Sequence, residues 1–229
     1  MSSKILAIDT VTEGCSAALL VGDEVVERFE ITPRGHTQRI LPMVDELLSE
    51  AALQLTALDA IAFDRGPGSF TGLRITAGVV QGLAYGASLP VIPVSSLAAL
   101  AFASYRENQN RNILAAIDAR MGEVYCGYYQ INNQSLPELI GEESVLPPNK
   151  IKKLQGPWVG VGSGFESYRE ELKEHLGENL VQMDGDALPH AKEIARLALH
   201  EFECGRVLSP EEAQPVYLRN QVVHHNSEL

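Results

Sequence analysis

KILAIDTVTEGCSAALLV, Lys4 to Val21, and NILAAIDARMGEVYCGYYQI, Asn112 to Ile131, share one layout. Each begins with an apolar strand ending in Ile-Asp, turns within a few residues, and returns as a strand of small and aromatic side chains. A strand–turn–strand unit that occurs twice predicts two related α/β halves, the second the smaller. The competing account is one continuous α/β sheet in which ILAID and ILAAID match by chance. Outward from the first copy, VVERFEI adds a third strand after the turn residues Gly22-Asp23. A helix from about His36 to Leu53 follows, in which Ile40, Val44, Leu47 and Ala51 form a stripe at helical spacing that Leu41, Leu48 and Ala52 widen. Pro42 lies close to its start, where the first turn tolerates a missing amide; a helix beginning well before residue 39 should kink there. Next come a strand over 58–64, a glycine-rich helix, the strand PVIPV at 90–94 and a helix over 95–107, so the first half reads βββαβαβα. Beyond the second copy, the Leu146-Pro147-Pro148 link precedes a strand over 158–162, a helix over 164–175, a short strand at Leu180 to Met183, a helix over 189–204 and an irregular tail.

The chain has 229 residues, enough to bury a substantial core. No uninterrupted apolar run approaches the ~20 residues of a membrane span, and the N-terminus MSSKILAIDT runs directly into a strand pattern, unlike a signal peptide. These features predict a cytoplasmic protein without a membrane partner. Cys15, Cys126 and Cys204 are widely spaced with no CxxC pair, which fits reduced thiols better than disulfides or zinc. The formal net charge is −12. Binding to a nucleic-acid backbone draws on Lys and Arg to displace counterions, and the densest basic stretch here is the short NKIKKL around Lys150 to Lys153. If the chain works on nucleic acid, another component must hold the nucleic acid.

The stretch GPGSFTGLRITAGVVQGLAYG, Gly66 to Gly86, sits between a strand and a helix, as a phosphate loop does. No Gly-Lys dipeptide occurs in the chain, which excludes Walker A, and GxGxxG is spoiled because the third glycine is displaced from Thr71 to Gly72. As helix chemistry the stretch works better: Gly66-Pro67-Gly68 turns, Ser69 or Thr71 caps, and Gly86 ends the helix. Gly78, Gly82 and Gly86 then share one face. Interior glycines cost about 1 kcal/mol each against alanine, a cost that close approach of another element can offset. Spacing leaves open whether that element belongs to this chain or to a partner.

Asp9, Thr10 and Thr12 in the first hairpin turn retain the chemistry of a phosphate turn, whereas the second turn keeps Asp118 but carries Arg120 and Met121 where a phosphate needs bare backbone. Each aspartate is equally explained as the cap of its own turn. HEFEC at His200 fails HExxH, His224 and His225 read as solvated, and GxSxG does not occur. No catalytic residue, metal site or firm cofactor site emerges.

Taken together, ILAIDTVTEGCSAAL, HTQRILPMVDELL, DRGPGSFTGLRI, AAIDARMGEVY and AQPVYLRN resemble the TsaB (YeaZ) family over essentially the whole chain. The resemblance implies a duplicated ribonuclease-H-like, actin-like ATPase fold, with a first domain over 1–107, a reduced second domain over 108–229, and the 189–204 helix placed to pack back on the first. It also implies a non-catalytic paralogue of TsaD in tRNA threonylcarbamoyladenosine synthesis. The metal-binding HxxxH of TsaD falls here at about Ser96 and Leu100, which bind no metal. The implied partners are a TsaD-like catalytic subunit, a TsaE-like ATPase in the ternary complex, and a second copy of the chain, with tRNA reached only indirectly and no cofactor. The implied partner surface comprises His36, Ile40, Leu41, Val44, Leu47 and Leu48 on the first helix. On the second it comprises Arg74, Ile75, Gly78, Val79, Gly82 and Gly86.

Overall fold

The structure, a computed structural model, describes residues 2–219. His224 and His225, and the end of the second domain as read from sequence, lie outside the described residues. The first sheet is built from β1 (Lys4–Asp9), β2 (Gly14–Val21), β3 (Glu24–Ile31), β4 (Ala60–Asp64) and β5 (Val91–Val94), in the order β3-β2-β1-β4-β5. β1, β2 and β3 pair antiparallel, while β4 and β5 add on parallel to β1. β4 is buried along its whole length, as its unbroken apolar run AIAF requires of a parallel strand covered on both faces.

The second sheet repeats this order. β6 (Asn112–Arg120), β7 (Glu123–Ile131), β8 (Pro137–Leu139), β10 (Trp158–Val161) and β11 (Leu180–Asp184) run β8-β7-β6-β10-β11, with β9 (Ser144–Leu146) added on β7. The same antiparallel and parallel relations recur. Two sheets of one topology establish the duplicated ribonuclease-H-like, actin-like fold and dispose of the single continuous sheet.

α1 (His36–Glu50) and α2 (Phe70–Ala87) cover one face of the first sheet, where Ile40, Met43, Val44, Leu47, Val80 and Ala84 meet Leu6, Ile8, Leu19 and Phe63. α6 (Ala191–Glu203) covers the other face: Ala191, Ile194, Ala195 and Ala198 pack on Ile5, Ala7, Ala62 and Ile92. α3 (Ser96–Asn108) sends Leu97, Leu100 and Ala101 into the second sheet's core beside Ile113, Ala115 and Tyr129. α4 (Gly164–Ser167) and α5 (Arg169–Leu176) cover that sheet's outer side through Phe165, Leu172 and Leu176.

Three local expectations are corrected. α1 begins at His36, so Pro42 lies in its second turn, where the Gln38 carbonyl receives no amide from it. The left-handed residue at the end of α2 is Ser88 (φ 56°), not Gly86, which remains helical. The helix over 164–175 is broken at Tyr168, whose φ of −127° is not helical.

Candidate functional site

Two regions concentrate the chemistry: the cleft between the halves and the outer face of α1 and α2. The cleft has a volume of about 940 Å3. Its lips are the two hairpin turns, with Thr12 and Glu13 on one side and Asp118 and Arg120 on the other. Near it, three strands carry at or close to their C-terminal ends an aspartate whose Oδ1 accepts from the amide two residues on: Asp9 from Val11 at 2.8 Å, Asp64 from Gly66 at 2.7 Å and Asp118 from Arg120 at 2.8 Å. Each aspartate therefore caps its own turn.

The glycines at the start of α2 serve the first of these turns. A Cβ at Gly72 would lie 2.0 Å from the Thr10 carbonyl oxygen, and one at Gly68 would lie 2.6 Å from that of Val11. Only glycine admits so close an approach. Ser69 is the N-cap and receives the Gly72 amide at 3.3 Å; its own amide donates to the Val11 carbonyl at 2.8 Å. The Thr10 hydroxyl donates to the Gly72 carbonyl at 2.8 Å and lies 2.7 Å from that of Thr76. Asp9, Thr10 and Val11 are fully buried. Of the three phosphate-turn candidates, Thr12 alone lines the cleft. The loop cradles backbone of its own chain.

Asp9 and Asp64 form a buried acid pair at the strand ends, and the Oδ2 of each finds no hydrogen-bond donor among the described residues. Burial, then the charge of Asp64, raises the Asp9 carboxyl well above its ordinary value. Burial pushes Asp64 up to about 7, against the pull of hydrogen bonds from the Ser96 hydroxyl and the Gly66 amide. Ser96 donates to Asp64 at 2.6 Å, and Leu100 is a core residue between the halves. The two positions at which the resemblance places the TsaD histidine pair are thus an acid's donor and a packing side chain. Among the described residues, no three His, Cys, Asp or Glu side chains are grouped to hold a metal. Likewise, no helix of the described residues is long and apolar enough to cross a membrane.

Sequence reasoning missed Glu143, which joins the halves. Its buried carboxylate accepts from Tyr129 at 2.6 Å, from the Ser95 hydroxyl, and from Arg65 at 3.2 Å. Nothing in its local sequence, IGEES, distinguishes it from a solvated loop acid.

On the outer face, the sequence assignment of the α1 stripe is corrected. Ile40, Val44 and Leu47 are buried against the first sheet, so they are core. His36 is buried too, with Nε2 3.0 Å from the Thr12 carbonyl, where it supports the first turn. Leu41 is 48% exposed, and Leu48 is half-buried. On α2, Ile75 and Val79 are half-buried at the edge of the same core. Arg74, Gly78, Gly82 and Gly86 are exposed, and a Cβ on any of these glycines would meet nothing of the described chain within 4 Å. Phe70, exposed by 47% with the Arg74 guanidinium 3.9 Å above its ring, belongs to the same row at spacing four. The sequence reading did not include it in the partner surface, since the row was counted from Gly78. Tyr85, 71% exposed, lies beside Gly86.

The family model described as TsaD, tRNA N6-adenosine threonylcarbamoyltransferase, matches residues 28–204. The tRNA threonylcarbamoyladenosine biosynthesis protein TsaB of Escherichia coli is 46% identical over 96% of this chain and 96% of its own length. Its namesake from Haemophilus influenzae is 42% identical over 95% and 94%. The solved structure of YeaZ from Pseudomonas aeruginosa is similar at a TM-score of 0.88 and 47% identity, over 94% of this chain and all of that one.

Proposed function

The chain belongs to the TsaB family, within the wider family of TsaD, and we propose that it acts in tRNA threonylcarbamoyladenosine synthesis as a non-catalytic scaffold and activator. In this reading it holds a TsaD-like catalytic subunit, a TsaE-like ATPase joins that pair, and tRNA is reached only through the assembly. The observation that carries the reading is the open glycine row of α2: three exposed glycines where an added Cβ would meet nothing of the described residues within 4 Å. Such a row has an energetic cost of about 1 kcal/mol per interior glycine, which a partner helix packed against bare backbone offsets. Phe70 continues the row, Ile75, Val79 and Tyr85 add apolar surface on the same helix and Leu41 and Leu48 on α1, and aromatic and arginine side chains are the usual anchors of such contacts. A second copy of the chain fits the same face, so self-association and partner binding compete for it. The acidic surface, at −12 overall, supports indirect rather than direct contact with tRNA.

The test is Gly82→Arg, which puts a long charged side chain where two backbones meet. Size-exclusion chromatography of the variant with its TsaD-like partner should show no complex. Because Gly82 is exposed and arginine is the better helix former, the free variant should melt at or above the wild-type temperature. A transfer assay on tRNA, with each protein omitted in turn, should lose activity without this chain. A variant that unfolds, or one that still binds and stimulates transfer, would remove α2 from the interface.

A further inference from the structure

Residues 213–219 form neither helix nor strand beyond a closing 3-10 turn, yet they are tied down at intervals. Ala213 is fully buried, and its carbonyl accepts from Gln81 of α2 at 3.0 Å. The Val216 amide donates to the Arg65 carbonyl at 2.9 Å, and the Tyr217 ring packs on Phe70 at 5.7 Å. All three anchors belong to the first half. The chain then lines the cleft through Val216 to Arg219 and reaches the second half. There Arg219, its side chain only 16% exposed, donates from its guanidinium to the Ala119 carbonyl at 3.0 Å and to the Glu123 carboxylate. The Arg120 carbonyl and the Met121 sulfur lie 3.4 and 3.5 Å from it.

The turn it grips is unusual in its own right. Arg120 and Met121 both have positive φ, 60° and 59°, a left-handed conformation that side chains beyond glycine adopt only at a cost. Charge-assisted hydrogen bonds from Arg219 to the carbonyls of this turn offset that cost. We propose that residues 213–219 are a latch, anchored on the first half by Ala213, Val216 and Tyr217 and on the second by Arg219, that fixes the opening of the cleft. The halves are otherwise joined by α3 against α6 and by the Glu143 bridge, and in this proposal the latch selects one setting of the two sheets. The proposal does not depend on the partner reading, because every anchor lies within the chain.

The experiment uses the full chain with Cys204→Ser, which removes the exposed thiol. Spin labels go on Glu13→Cys and Glu166→Cys, exposed positions on opposite lips of the cleft. Arg219→Ala cuts the far anchor, and Val216→Pro removes the amide that binds Arg65. Each should shift the label-to-label distance distribution to longer and broader values, and the double variant should do no more than either, since a strap cut at one end is already released. In Arg219→Ala the Val216 amide should exchange about tenfold faster, as loss of a charge-assisted hydrogen bond implies. An unchanged distance distribution in both variants overturns the latch. So does widening by Val216→Pro alone, which would make the tail an appendage of the first half.

Discussion

The two hairpin turns start alike and end differently. Asp9 and Asp118 each follow an isoleucine near the turn end of their strand and accept the amide two residues on at the same 2.8 Å. The first turn is then sealed: Gly68 and Gly72 bring α2 against the carbonyls of Val11 and Thr10, just beyond Asp9. In the second half the corresponding glycines approach the strand instead. A Cβ at Gly162 would lie 2.4 Å from the Ala116 carbonyl oxygen, two residues before Asp118, so the turn itself stays uncovered. The Arg120 side chain is accordingly 86% exposed, while Thr10 is wholly buried. A shift of a few residues in where glycine lets backbone approach decides whether the same turn becomes interior or a lip of the cleft.

The largest effect should come from Gly72→Ala. Its new methyl meets fixed backbone, so a loss of about 3 kcal/mol or more is expected in urea unfolding, at the upper end of overpacking costs. Gly82→Ala, facing open space, should gain up to about 1 kcal/mol. Equal values for the two would erase the contrast between a sealed turn and an open face.

The acid pair under the sealed turn should give a smaller, pH-dependent effect. The folded value of Asp64, about 7, lies above the ordinary 3.8. Its contribution to stability is therefore fully present below about pH 4 and is lost as pH rises toward 7, because the folded state keeps a proton that the unfolded chain releases. Asp64→Asn keeps an acceptor for Gly66 and Ser96 without the charge. It should match wild type near pH 4 and exceed it by about 1–3 kcal/mol at pH 8. A stability difference that does not change between these pH values would show that the pair is not buried as a protonated couple.

Asp118→Asn should have the smallest effect. The ion pair it breaks involves an exposed arginine, and such pairs contribute less than about 1 kcal/mol. A loss as large as that of Gly72→Ala would make the second turn as structural as the first.

Much of the fold was legible because periodicity reports on local environment. Alternation and apolar runs marked nine strands, β1 to β7, β10 and β11, and the four helices α1, α2, α3 and α6 near their observed places. The repeated Ile-Asp hairpin announced the duplication. What failed did so for identifiable reasons. The stripe on α1 told which side chains share a face but not what lies opposite, and Ile40, Val44 and Leu47 proved to face the first sheet. Tyr168 breaks a helix whose local sequence, GFESYREELKEHL, carries no breaker. Glu143 draws its role from Arg65 and Ser95, far away in sequence.

Sequence alone determined the two-fold α/β plan, the absence of a Walker A motif and the glycine row at spacing four, since each depends on residue type and interval along one chain. Only the tertiary structure decided that Gly68 and Gly72 cradle the chain's own first turn, that Gly78, Gly82 and Gly86 are left uncovered by the described residues, and that Arg219 reaches across the cleft to the second turn. Close approach of backbone is a property of two segments at once. A glycine records that something comes near, or that nothing of its own chain does, only when the other segment is in place.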